Sequence, residues 1–161
     1  MKALKNLFFN LSEIFSLENR KGGFLAADAL IEAAHQIDNP QQFDNRFFSD
    51  VESNLDSKGH ILNQLVLKAS PYIKWSGSDL REERIPEELA NQMPMAELIG
   101  PDGLYYNDTV RVGLWLQNKD IVYGPRQHEA EETFFIFNGE AHWWTDECEL
   151  ELKGPNSYVF H

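Results

Sequence analysis

The first 70 residues carry apolar side chains at three- and four-residue spacing, which is the period of an amphipathic helix. The first such run covers residues 2–17. A second run follows the Gly22 and Gly23 pair and ends before Pro40, because proline cannot continue a helix. Shorter runs lie at residues 43–55 and 61–67. The pattern therefore predicts four helices.

From about residue 72 the pattern changes to short runs of aromatic and β-branched residues, separated by prolines and other turn residues. Runs of this length and spacing predict strands in a sandwich or barrel. Asn138 and Gly139 form the dipeptide preferred in a type I′ hairpin turn, so we predict a hairpin there. The predicted strands are residues 96–99, 109–116, 121–123, 133–137, 140–144, 149–152 and 158–160. The fold class is thus α+β, with a helical portion over residues 1–70 and an antiparallel sandwich or barrel over residues 71–161 in one compact unit.

Length and charge limit the possible functions. A chain of 161 residues with 42% hydrophobic residues can bury the core of one domain. The 26 acidic and 14 basic residues give a net charge of −12, which repels nucleic-acid phosphates and anionic lipids. We therefore expect neither nucleic acid nor a membrane as a partner.

The cellular location is predicted from two features. Cys148 is the single cysteine, so an internal disulfide is impossible and a reducing compartment is expected. The apolar run at the N-terminus is interrupted by Asn10, Ser12 and Glu13 before it reaches the length of a secretory signal. Together these features predict a cytoplasmic protein.

Residues 123–134 gather the chemically most versatile side chains of the chain. His128 and Glu132 lie four residues apart, and an imidazole with a carboxylate suits zinc, iron, manganese or nickel. Taken alone, a histidine near a glutamate is a weak motif. Two further side chains are weaker candidates for metal ligands: His142 on the next predicted strand, and Glu131 as a substitute for Glu132.

The spacing of Gly124, His128, Glu132 and Gly139 resembles the first conserved motif of the cupin superfamily. The resemblance narrows to cupin-type dimethylsulfoniopropionate lyases, whose order and spacing of motifs is similar over about residues 68–161. The segments that carry it are Trp75, residues 96–103, residues 112–114 and residues 123–144.

The resemblance implies N-terminal helices packed on a small antiparallel cupin β-barrel. It implies a divalent metal held by His128 and Glu132, and a β-elimination that splits a small sulfonium zwitterion into dimethyl sulfide and acrylate. Tyr123 stands where those enzymes place the base that removes the proton α to the carboxylate. A nearby cation would favour the phenolate form of such a base.

Aromatic faces attract a sulfonium as they attract quaternary ammonium, so Trp115, Phe134 and Trp143 are predicted to bind substrate. Arg126 replaces the first histidine of the usual His-x-His pair; it has no lone pair for a metal but can hold a carboxylate. Phe134 occupies a position where the lyases often carry tyrosine.

The family pattern continues beyond His161 into a second motif with a further ligand histidine. Either the chain is a truncated version of a longer protein, or a partner chain completes the barrel, or the metal site is lost. In each case the barrel of this chain is expected to be incomplete at its C-terminal end. A missing strand leaves an exposed sheet edge, which favours pairing with another chain and predicts a homodimer.

Two alternatives to a lyase stay open. A non-catalytic cupin would bind a small anion through Arg126, in keeping with the replaced metal ligands. Another cupin enzyme, such as an isomerase or dioxygenase, would share the first motif and differ in its metal and substrate.

Overall fold

The computed structural model describes residues 2–44, 46–78, 85–124, 129–145 and 148–160. The helices are α1 Lys2–Ser16, α2 Lys21–Gln36, α3 Phe48–Asn54, α4 Ile61–Ala69 and α5 Glu87–Asn91, with a 3₁₀ turn at Ser70–Tyr72 after α4. The first four helices confirm those predicted from the apolar spacing. Helix α5 was not predicted, because five residues are too few to show a helical period.

The strands are β1 Met95–Ile99, β2 Val112–Trp115, β3 Thr133–Ile136, β4 Ala141–Thr145, β5 Cys148–Lys153 and β6 Ser157–Phe160. Six of the seven predicted strands are confirmed, and residues 121–123 form none. The described strands pair as three antiparallel two-stranded sheets, β1 with β2, β3 with β6 and β4 with β5. The α+β class is confirmed, and the described strands do not form a closed barrel.

The last four strands form one long bent ribbon. Thr133 pairs with Phe160, and Ala141 pairs with Lys153, so β3 and β4 follow one another along one arm while β5 and β6 form the returning arm. Residues 146–147, between β4 and β5 in the chain, lie outside the described residues. The ribbon carries the C-terminal end of the chemically versatile segment, since Thr133 and Phe134 lie on β3.

The hairpin predicted at Asn138 and Gly139 is wrong, because β3 and β4 do not pair with each other. A type I′ turn needs positive φ at both residues, and here Gly139 has φ 71° while Asn138 does not have positive φ. The Asn138 side chain accepts a hydrogen bond from Asn63 Nδ2 at 2.8 Å and donates one to the Asn54 carbonyl at 3.0 Å. These bonds to the helical part hold the two residues as a bend within one arm.

The hydrophobic core joins the helices to the first sheet. The apolar stripe of α1 is buried as predicted, and it packs with α2, α4 and both strands of the β1–β2 sheet. The fully buried side chains include Leu4, Leu7, Phe8, Leu30, Leu62, Val66 and Leu98. The β4–β5 sheet differs, because Trp144, Leu150 and Leu152 on it are exposed. None of the helices in the described part of the chain is long and apolar enough to cross a bilayer.

A tight turn follows β1, in the segment that carries part of the family resemblance. Gly100 has φ 145°, a conformation that side-chain-bearing residues rarely adopt, and a β-carbon there would overlap the Glu97 carboxylate. Glu97 accepts a hydrogen bond from the Asp102 amide at 3.0 Å and pairs with Arg111 at 3.1 Å. The glycine therefore keeps open the space in which Glu97 organises the turn.

Candidate functional site

One face of β3 is attached to the helices. Thr133 Oγ1 donates a hydrogen bond to Glu18 Oε1 at 2.8 Å, and the Phe135 ring lies 5.7 Å from the His60 ring. His60 also caps α4, since its Nδ1 accepts from the Leu62 amide at 3.1 Å. Successive residues of a strand point to opposite faces, so the residue between Thr133 and Phe135 faces away from the helices.

That opposite face carries a cluster of four aromatic rings. Phe134 lies with its ring centroid 5.0 Å from Trp143 and 5.6 Å from Trp115. Trp115 in turn meets Tyr123 edge-to-face, with centroids 4.6 Å apart. Strands β2, β3 and β4 each contribute one ring, and Tyr123 comes from the segment after β2. The structure thus brings together four of the side chains predicted for the site.

The indole of Trp115 carries a buried polar atom that makes no hydrogen bond to the residues the structure describes. Among the described residues no acceptor reaches its Nε1, whereas the Nε1 of the buried Trp75 donates to Ser70 Oγ at 2.8 Å. A buried indole N–H usually finds a partner, and this group can only donate. The aromatic cluster therefore contains a hydrogen-bond donor suited to a ligand oxygen.

Glu132 is half-buried and immediately precedes β3. Continuing the strand alternation by one residue places Glu132 on the Phe134 side, towards the aromatic cluster. Arg126 and His128 lie outside the described residues. Within the described ranges, no three histidine, cysteine, aspartate or glutamate side chains come together as a metal site. The imidazole of His128 and the carboxylate of Glu132 fit a divalent transition metal in donor chemistry.

The two weaker ligand candidates point elsewhere. His142 is exposed and pairs with Leu152, and it precedes Trp143 on β4, so the alternation puts it on the face opposite the cluster. Glu131 is exposed, and its carboxylate lies 3.6 Å from Arg20 Nη2. Neither side chain joins the aromatic cluster.

The sequence analysis missed the contribution of the connection between α1 and α2. Glu18, in this connection, is buried and bonded to Thr133, while Tyr158 on β6 donates to the Ile14 carbonyl at 2.7 Å. Burial, and secondarily the nearby Glu18 carboxylate, raise the pKa of Tyr158 above its usual value. A single acidic residue between two helices matches no recognisable sequence motif. The contribution of Glu18 is therefore visible only from its contact with Thr133, which is more than one hundred residues away in the chain.

The fold is similar to those of solved DMSP (dimethylsulfoniopropionate) lyases. DddQ from Ruegeria pomeroyi DSS-3 superposes with a TM-score of 0.69 at 20% identity, covering 99% of this chain and 80% of that one. A structure from work on the DMSP lyases RdDddP and RnDddQII superposes with a TM-score of 0.61 at 20% identity, covering 76% of this chain. This chain spans 64% of the length of that second structure.

The arrangement of helices and paired strands is therefore that of a protein with a DMSP-lyase-like fold. A family model described as DMSP lyase matches residues 27–161, most of the chain. The protein belongs to the DMSP lyase family, which confirms the resemblance inferred from residues 68–161. No curated protein sequence matches it significantly.

Proposed function

We propose that this protein is a metal-dependent lyase that cleaves dimethylsulfoniopropionate, or a similar small carboxylate, into dimethyl sulfide and acrylate. The observation that carries the proposal is the cluster of Trp115, Tyr123, Phe134 and Trp143, in which the proposed base packs edge-to-face against Trp115. Membership in the DMSP lyase family supports the choice of substrate.

The proposed reaction is a β-elimination. The Tyr123 oxygen, as phenolate, takes the proton from the carbon α to the substrate carboxylate. The electron pair of that C–H bond forms the new double bond, the bond between the β-carbon and sulfur breaks, and sulfur leaves with its electrons as neutral dimethyl sulfide. Ring faces attract cationic groups, so Phe134 and Trp143 would hold the sulfonium before the bond breaks.

The carboxylate lies at the end of the substrate opposite the sulfonium, and it needs hydrogen-bond donors there. Trp115 Nε1 is buried beside Tyr123 and has no acceptor among the described residues, so it fits this role. Arg126, with its planar array of N–H groups, is the second proposed donor. Both would orient the α-carbon towards the Tyr123 oxygen.

His128 and Glu132 would hold the divalent metal, with zinc, iron, manganese and nickel as the candidates. When bound there, a divalent cation neutralises charge on the substrate carboxylate and on the carbon beside it. Glu132 is half-buried next to the anchored strand β3, which supports its role as a fixed ligand.

We also propose that the strands belong to a cupin barrel and that the chain forms a homodimer. The first proposal is supported by the bent β3–β6 and β4–β5 ribbon together with the fold similarity. The second is supported by the exposed apolar side chains Trp144, Leu150 and Leu152 on β4 and β5, whose burial against another chain would be favourable.

The test is a dimethyl sulfide release assay on the purified chain, run together with elemental analysis. We expect near-stoichiometric metal and dimethyl sulfide production in the wild type, and loss of both in His128→Ala. His142→Ala is the matched control, because this exposed histidine faces away from the cluster, and it should retain metal and activity. Absence of dimethyl sulfide from metal-loaded wild type would refute the lyase function.

A second candidate function is binding of a small carboxylate without elimination. The buried Trp115 N–H, which has no acceptor within the described part of the chain, favours it, because such a donor binds an anion whether or not a reaction follows. Saturable acrylate binding without any dimethyl sulfide release would make this the better description.

A further inference from the structure

We propose that residues 17–20, the turn between α1 and α2, position Glu132 for metal binding. This inference rests on the proposed role of Glu132 as a ligand. Its basis is that both chain neighbours of Glu132 are held by this one turn: Thr133 bonds to Glu18, and Glu131 pairs with Arg20. Helices α1 and α2 would thereby be part of the functional site.

Glu18 is the firmer of the two anchors. Its side chain is only 2% exposed, and it accepts the Thr133 hydroxyl hydrogen bond at 2.8 Å while Arg20 Nε lies 3.6 Å away. Gly23 leaves room for this carboxylate, because a β-carbon there would lie 2.7 Å from Glu18 Oε2. A buried carboxylate is costly unless it is hydrogen-bonded and paired, so the native packing strongly favours these contacts.

Arg20 contacts both arms of the ribbon at the same end. Its guanidinium carbon lies 4.6 Å from the centroid of the Phe160 ring, and Phe160 is the residue paired with Thr133. Its Nη2 lies 3.6 Å from the Glu131 carboxylate on the segment that leads into β3. Arg20 therefore joins the start of β3 to the end of β6.

Glu132 lies between these two attachments. Thr133 faces the helices, so the alternation that buries its hydroxyl against Glu18 also turns Glu132 towards the aromatic cluster. Groups that orient a metal ligand typically change metal affinity by about 10–100-fold when they are removed. Glu18 and Arg20 are thus positioning residues, which act through the backbone on either side of the ligand.

The experiment compares Thr133→Val, Thr133→Ser and Tyr158→Phe. Valine keeps the shape of threonine but removes the hydroxyl that reaches Glu18, whereas serine keeps a hydroxyl. Tyr158→Phe is the matched control: it removes another hydrogen bond between α1 and the same sheet, to the Ile14 carbonyl, without touching either neighbour of Glu132. The metal dissociation constant is measured by chelator competition, together with Tm and dimethyl sulfide release.

We expect Thr133→Val to weaken metal binding about 10–100-fold, Thr133→Ser to restore most of the affinity, and Tyr158→Phe to lower Tm while leaving the affinity unchanged. Arg20→Met is a second variant in case Thr133→Val does not fold; it removes the pairing with Glu131 and should weaken metal binding to a smaller extent. The positioning role would be overturned if metal affinity stayed unchanged in every variant while Thr133→Val and Tyr158→Phe lost the same amount of Tm. The lyase function would still stand in that case. Wild-type protein that binds no metal would overturn both.

Discussion

Replacing Tyr123 with phenylalanine is expected to lower kcat for dimethyl sulfide release by about 10²–10⁴-fold, the usual contribution of a general base. The substitution removes the oxygen that accepts the proton but keeps the ring. The edge-to-face contact of that ring with Trp115, at 4.6 Å, should therefore persist, and the fold should be retained. Initial rates at saturating substrate and metal measure the effect.

Tyr106→Phe is the control for this prediction, because Tyr106 is 76% exposed and lies outside the aromatic cluster. Its kcat should match that of the wild type. Metal content should be equal in the wild type, Tyr123→Phe and Tyr106→Phe. A lower kcat then reflects the loss of proton transfer and not the loss of the bound metal. Unchanged elimination in metal-loaded Tyr123→Phe would assign the base to another group.

Replacing Phe8 with alanine is expected to destabilise the fold by about 3–5 kcal/mol, the usual cost of deleting a buried phenylalanine ring. Phe8 has no exposed surface, and its ring meets Tyr105 edge-to-face with centroids 5.7 Å apart. Since single domains are stable by about 5–15 kcal/mol, this loss is a large part of the total. Urea unfolding followed by circular dichroism measures it.

The adjacent Phe9 provides the matched comparison, because it is the same residue type in the same helix but is 36% exposed. Phe9→Ala should cost clearly less free energy than Phe8→Ala, with a similar dependence of stability on urea concentration. Equal losses in the two variants would contradict the burial of the α1 stripe that joins the helices to the β1–β2 sheet.

The sequence by itself determined the elements and the candidate chemistry. The three- and four-residue apolar spacing located α1 to α4, and the short aromatic and β-branched runs located six strands, because burial of one face imposes these periods on the chain. The spacing of Gly124, His128, Glu132 and Gly139, together with the order of the flanking segments, was enough to identify the DMSP lyase family.

Only the tertiary structure decided which strands pair and what holds them. Asn138 and Gly139 have the composition of a hairpin turn, yet bonds from Asn138 to Asn63 and Asn54 stabilise a bend instead. Likewise Glu18 bonds to Thr133, the chain neighbour of Glu132, although Thr133 is 115 residues away in the chain. Local preferences differ by only about a kcal/mol, so contacts between distant residues outweigh them and set the geometry of the site.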